Sequence, residues 1–578
     1  MDFKKYDLVE YSYKAEADGD PFQVKFGAEV ALPNNNVLYV PGFYDGENTW
    51  RFRFMPEEEG EYSFQTKSSN PLLAGRSSRF AVGPASKDNH GKVKVKEKYW
   101  LEYQDGTNYF EAGTTCYAWI YQNKELREKT LQTLSQGYFN KIRMCVFPKW
   151  YEHNRKEPEL YPFEGTLGHF DYDHPNVKLF QLLDEMIQRL EQSGIEADII
   201  LFHPYDKAEW GFSTMSKQQD KAYLDYVMAR LGAYHNVWWS LANEFDIFHK
   251  GYKQKKRNWK QLVEYVADKN VFGHLVSIHQ CMKMYDHRDK HLTHCSIQRQ
   301  EMYVTAENTD MWRQKYGKPV VIDECSYEGS LAFNWGGISA QEMVRRFWEA
   351  TARGGYMGHG ETYVDDENDI LWWAHGGTLH GESPKRIRFL RKVMELVPNQ
   401  ELSSRSGRGN FAIGKAGNDT QLIYFGYYQP KRYELMLSRS AKYRCYVIDT
   451  WNMEIDRLPE LMNGNVTIEL PERPWCALLF VAEEKYDLSD VPFDGDTILE
   501  DTIDKPGGRR LVAFMKVFMR FMNMEKFTDT ALKMSVNQSA RMAGMSDKQK
   551  EQMLEGFRLI VDENKMMKGI FQTLKALK

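Results

Sequence analysis

Two glutamates stand where apolar runs stop. In NVWWSLANEFD an aromatic-rich run, Val237 to Ala242, is broken only by Ser240 and ends in Asn243-Glu244. In KPVVIDECSYEG the run Val320-Val321-Ile322 ends in Asp323-Glu324. Such runs read as strands buried on both faces, as in a parallel sheet. Side chains at the C-terminal ends of barrel strands face the active site. A carboxylic acid pressed there against tryptophans loses solvation, and its pKa rises, which makes a general acid. Two carboxyls flanking one glycosidic bond divide the labour of hydrolysis. One protonates the departing oxygen and the other attacks the anomeric carbon. The plainer alternative for Glu244 is a helix cap, or an ion pair with a lysine of KGYKQKKR (250–257).

For these residues to meet, the chain must close into a barrel. Eight strand candidates alternate with helical stretches: 109–119, 139–147, 196–203, 236–244, 275–280, 293–298, 319–325 and 355–360. Helices are expected at 124–137, 176–194, 216–233, 258–270, 307–319 and 339–355, with Ser216 as an N-cap and Gly137 and Gly194 as C-terminal stops. This rhythm over about 300 residues is that of a (β/α)8 TIM barrel. Glu244 ends the fourth strand and Glu324 the seventh, so they face each other across the mouth.

The flanks have a different texture. Residues 1–85 alternate at period two between frequent turns, which predicts a β-sandwich, and 85–98 read as a linker. In Trp50-Arg51-Phe52-Arg53-Phe54 the aromatics would face the core and the arginines solvent. The barrel takes 99–396. A second β-sandwich is expected at 400–483, and a linker (486–510) with a small helical appendage at 484–578, where Leu511, Phe514, Met515, Phe518, Met519 and Met522 form a core stripe.

A net charge of -5 and pI near 6.4 give no reason to expect nucleic acid. The N-terminus has no apolar signal core, and no run of about 18 apolar residues would span a membrane. Seven cysteines, odd in number and without a CxxC pair, read as reduced thiols of a cytoplasmic protein. Of these, Cys325 beside Glu324 is read as packing and not as a nucleophile.

The Asn-Glu pair after strand four and the Glu after strand seven resemble the pattern of clan A glycoside hydrolases. The opening YWLEYQDGTNYFEAGTTCYAW and the flanking domains resemble the apiosidase-like family, and PGFYDGENTWRFRFMPEEEGEYSFQTKSSN resembles the immunoglobulin-like domain preceding the barrel in related bacterial enzymes. The resemblance implies Glu244 as acid/base and Glu324 as nucleophile of a retaining mechanism. It implies Arg143 beside the nucleophile and Asn243 on the sugar 2-hydroxyl. Where the family commonly has an Asp, this chain reads Gly113-Thr114-Thr115-Cys116.

Further substrate-binding candidates at strand ends are Trp119, Trp150, His203, His279, Gln298, Tyr327, His359, Glu361 and Trp372. Aromatics suit a sugar's apolar face, and histidines and carboxylates its hydroxyls. No cofactor and no metal is expected: there is no GxGxxG after a strand and no HxH after strand one, and the cluster His287, His291 and His294 lies in a highly charged stretch. The expectation is a cofactor-independent glycoside hydrolase acting on plant-type or other oligosaccharides or polysaccharides, and a homo-oligomer is compatible with the composition. The rivals are a non-catalytic carbohydrate-binding barrel and a metal-dependent barrel hydrolase.

Overall fold

The computed structural model describes residues 3–151, 154–247, 257–366, 369–405, 411–485, 493–503 and 507–577. They fall into two compact units, 1–394 and 395–578.

In the first unit eight parallel strands close into a barrel. They are β1 (Ala112–Thr115), β2 (Lys141–Cys145), β3 (Glu196–Phe202), β4 (Val237–Ala242), β5 (Val276–Ser277), β6 (Cys295–Gln298), β7 (Val320–Glu324) and β8 (Tyr356–His359). Their order is 5-4-3-2-1-8-7-6. A parallel bridge from His279, just past β5, to Ser296 on β6 closes the ring. All eight fall within the expected segments. Every residue of β2, β3, β4 and β7 is buried; β4 and the start of β7 read as apolar runs, whereas β2 and β3 also bury Lys141, Arg143, Glu196 and Asp198.

The helices are α1 (Lys124–Leu134), α2 (Val177–Gln192), α3 (Lys217–Leu231), α4 (Trp259–Lys269), α5 (Thr309–Tyr316), α6 (Ala340–Ala352), α7 (Trp372–His375) and α8 (Ser383–Met394). Ser216 and Gln219 form a reciprocal capping box at the start of α3. After α1 and α2 the chain turns at Gly137 and Gly194, both at positive φ. No helix joins β5 to β6. One detail departs from the sequence reading. The stretch SPKRIRFLRKVM, given no helix from sequence, forms α8, with Pro384 in its first turn and Ile387, Leu390, Val393 and Met394 buried.

Ahead of the barrel lies a seven-stranded sheet built mainly from antiparallel strands between Val9 and Gly83. It includes Val37–Tyr44. Phe52, Phe54, Phe64 and Phe80 belong to its core. The arginine face corrects an expectation. Arg53 is 5% exposed, and its guanidinium forks onto Asp184 of α2 at 2.7 and 3.0 Å. Asp184 also takes Arg230 of α3 at 2.9 Å. Arg53 thus docks on the barrel's helices instead of facing water, and Asp184, with Glu10 on Arg53 and Asp45 on Arg230, compensates the two cations. The stretch read as a linker contains a strand, Val93–Lys96, paired with Trp100–Tyr103.

In the second unit a six-stranded antiparallel sheet and the pair Arg432–Leu437 with Gly464–Glu469 enclose a core of Ile423, Phe425, Tyr433, Leu478 and Phe480. Helices follow, including Gly508–Phe521 and Asp547–Val561. Leu511, Met515 and Met519 are buried, and Met522 is 48% exposed. Part of the expected linker, 486–492 and 504–506, lies outside the described residues, as does 250–256 of KGYKQKKR.

Candidate active site

The site rests on a layer of charge inside the barrel. Lys141 and Arg143 of β2 are two residues apart, so both point into the lumen. Lys141 Nζ lies 2.8 Å from Asp323 Oδ1, 3.1 Å from Glu111 Oε1 and 3.4 Å from Asp198 Oδ2. Arg143 Nε lies 3.5 Å from Asp198 Oδ2. Burial pushes Glu111 up to about 7, while Lys141 and Arg143 overcome burial at Asp323 and hold it well below the usual carboxylate range. Space for the Lys141 stem comes from Gly113 on β1, where a Cβ would sit 2.6 Å from Lys141 Cε.

Above this layer stands Glu324, at the end of β7. Tyr117 Oη donates a short hydrogen bond to its Oε1. Arg143 Nη1 is 3.4 Å from the same oxygen and His279 Nε2 is 3.9 Å away. Burial raises the Glu324 carboxyl, but His279, Arg143 and Tyr117 outweigh it and hold it below its ordinary value. Since burial pushes His279 itself down to about 4, that ring is neutral near pH 7, and Arg143 and Tyr117 carry the effect.

Glu244 follows β4 in a left-handed conformation, φ +47°. A non-glycine residue held there marks strain of about 1–3 kcal/mol that the surrounding packing must sustain. Its carboxyl is buried and pushed up to about 7, first by desolvation and then by the charge of Glu324. Lys149 and hydrogen bonds with Gln298 and Cys281 offset part of the rise. The tryptophans of β4 are placed elsewhere. Trp238 lies beside Lys141, deeper in the barrel, and Trp239 belongs to the core outside it.

Several donors around the pair lack a protein partner. Asn243 Oδ1 accepts from Arg143 Nη2 at 3.0 Å, which leaves Asn243 Nδ2 buried and unpartnered. Both ring nitrogens of His279 are also unpartnered. Such groups are what a hydroxyl-rich ligand satisfies. Lys149, on the loop after β2, packs its ammonium against Tyr117 (3.7 Å), Tyr205 (4.1 Å) and Trp373 (4.1 Å). Burial lowers its pKa to about 8. Tyr327, Trp335 and Trp373 continue this aromatic wall.

Residues 95–398 match the family profile described as the apiosidase-like catalytic domain. The chain belongs to the apiosidase-like family. It is a glycoside hydrolase on an eight-stranded parallel barrel. A Bacteroides vulgatus crystal structure assigned as a glycoside hydrolase is 36% identical, with a TM-score of 0.77, and covers 83% of this chain and 99% of its own. A family 5 glycoside hydrolase from the same organism shares 15% identity and a TM-score of 0.55 over 68% of this chain and 94% of its own. Another structure, described as a glycoside hydrolase, shares 16% identity and a TM-score of 0.53 over 68% of this chain and 97% of its own. The latter two are likenesses of fold. Residues 2–69 and 410–480 match two domains of unknown function, DUF5060 and DUF5605. No curated protein matches the chain.

The apiosidase-like barrel thus gathers Arg143, Asn243, His279, Gln298 and Tyr327 around the carboxyls of Glu244 and Glu324. It sends other candidates elsewhere. Trp119 is fully buried in the barrel's outer core. Trp150 packs edge-on against Trp210. His203 accepts the Tyr205 peptide N–H at Nδ1 and lies 3.2 Å from the Phe147 carbonyl at Nε2, so both its nitrogens are satisfied. Trp372 donates to Thr114 Oγ1 at 2.9 Å, and His359 joins the same hydroxyl. Glu361 accepts the peptide N–H groups of His380 and Gly381. His287 and His294 are buried and His291 pairs with Asp289, but the three form no shared ligand cluster among the described residues. Burial pushes the Cys325 thiol up to about 12.

Sequence reasoning missed Tyr117, Lys149 and the Lys141 layer in the apiosidase-like site. A signal existed for the layer: two cations at i and i+2 within an apolar strand must share one buried face and so demand anions. Tyr117→Phe is expected to lower kcat by about 10–100-fold, the worth of a hydrogen bond to a charged group. It should also move the acidic limb of the pH–rate profile upward, because Glu324 loses a donor that favours its ionised form. An unmoved limb would remove Tyr117 from control of Glu324.

Proposed function

We propose that the chain cleaves a glycosidic bond of an oligosaccharide or polysaccharide of plant type by double displacement with retention. Glu324 attacks the anomeric carbon while Glu244 protonates the departing oxygen. Glu244 then takes a proton from the water that releases the sugar. Asn243 Nδ2 and His279 bind hydroxyls of the reacting sugar, Gln298 supports Glu244, and the aromatic wall at Tyr327 and Trp373 takes an apolar sugar face.

One observation carries this reading. Two buried carboxyls in electrostatic contact are biased in opposite directions, Glu244 up to about 7 and Glu324 downward. Divergent pKa values support Glu244 as the acid and Glu324 as the nucleophile. All seven cysteines are free, which supports a reducing compartment such as the cytoplasm. Among the described residues no helix is long and apolar enough to cross a membrane.

The sign of the pH dependence follows. kcat/KM should fall as pH rises through about 7, where Glu244 loses the proton it must donate. It should fall again on the acid side, below the lowered pKa of Glu324, where the nucleophile is neutralised. The family's designation makes apiosides the first substrates to assay, followed by chromogenic pentosides and hexosides of both anomers. On whichever is turned over, the first-formed sugar read by proton NMR should carry the substrate's anomeric configuration. Inversion would overturn double displacement.

A further inference from the structure

A second polar cluster lies behind the barrel wall. Gly113 on β1 pairs with Lys141, whose side chain points into the lumen, so the next residue, Thr114, points outward. His359 of β8 pairs with Thr114 and faces the same way. One ring nitrogen of His359 and one carboxylate oxygen each from Glu328 and Glu361 lie within 4.8 Å of one another. All three residues are 0% exposed.

Two observations point to a missing cation. His359 Nδ1 is engaged by Thr114 Oγ1 at 2.9 Å, whereas Nε2 is buried without a partner and is free to take a ligand. Moreover, among the described residues neither carboxylate has a lysine or arginine at ion-pair distance. Among the described residues Glu361 is held by the His380 and Gly381 N–H groups. Glu328 is held by the Glu382 and Ser383 N–H groups at 2.8 and 3.1 Å and by the Tyr363 hydroxyl at 3.2 Å. These contacts orient both carboxylates at the start of α8 but bring no full positive charge. Buried charges are ordinarily paired or bound to a metal.

We propose that Glu328, His359 and Glu361 form a structural site for one divalent transition cation of the zinc class, separate from the Glu244–Glu324 pocket. One imidazole and two carboxylates suit zinc or manganese better than calcium. The outer shell fits as well. Metal-bound histidines hold their second nitrogen on an oxygen, here Thr114, which Trp372 also fixes, and ligating carboxylates are themselves hydrogen-bonded. Bonds of about 2.0–2.2 Å would draw the three side chains together. The cation would clip the segments after β7 and β8 to the start of α8.

The test uses the full-length protein, stripped with a chelator and dialysed. Titration with zinc should give about one tightly held equivalent per chain and raise the unfolding temperature. Cobalt in its place should give the visible absorption of a nitrogen–oxygen site, which reads ligation without any mutation. His359→Gln and Glu361→Gln should each weaken zinc binding by about 100-fold or more, with far-UV circular dichroism unchanged. Failure of the wild-type protein to retain zinc, manganese or cobalt would overturn the site. So would unaltered binding in both variants, which would place the metal on other side chains.

Discussion

Glu324→Ala is expected to lower kcat on any accepted glycoside by about 10⁴–10⁶-fold, the scale on which removal of a covalent nucleophile acts. Azide should restore part of that turnover and yield a glycosyl azide of inverted configuration, because the small anion enters the space left by the carboxylate. Glu244→Ala should behave differently. Its loss should be about 10²–10⁴-fold and smallest for substrates with good leaving groups. Azide should there give a product of retained configuration, since it intercepts the glycosyl ester on Glu324. Asp323, the adjacent carboxylate, cannot substitute: Lys141 holds it at 2.8 Å, within the barrel. Turnover of Glu324→Ala within tenfold of the parent would remove Glu324 from the mechanism.

Lys141→Met is expected to cost about 3–5 kcal/mol of folding stability, the usual penalty for removing one partner from a buried ionic network. The ammonium is fully buried and serves Glu111, Asp198 and Asp323 together. Without it, Arg143 alone faces these groups and Glu324. The unpaired carboxyls would then take up protons in the folded state. Glu111 is already raised to about 7, above its unfolded value, so it opposes folding increasingly as pH rises toward 7 and contributes no penalty once pH falls below the unfolded value. Loss of Lys141 strengthens this trend, so the deficit should shrink on acidification from pH 8 to 5. Urea unfolding followed by tryptophan fluorescence at both pH values checks the size and the sign. An unchanged midpoint would show that the layer is not held by this lysine.

The barrel is legible in the amino-acid sequence. Runs such as Val237–Ala242 and Val320–Ile322, spaced by amphipathic helices, are local signals, and local patterns survive in one dimension. The sequence also put Glu244 and Glu324 at strand ends, because a polar residue closing an apolar run needs no tertiary knowledge to notice. Which side of the wall each neighbour faces emerges only on folding. A strand buried on both faces lacks the alternation that marks a solvent side, so its pattern does not reveal which face is the lumen. His359 and Trp372 therefore read like pocket residues, yet they meet outside the barrel on Thr114. Arg53 read as solvent-facing, and only the arrival of Asp184 from α2 makes it a buried contact. Tyr117 and Lys149 carried no signal, since their roles come from partners remote in sequence. The same holds for the opposed biases on the two glutamates. A pKa is set by which charges and how little water surround a carboxyl, and folding alone assembles that environment.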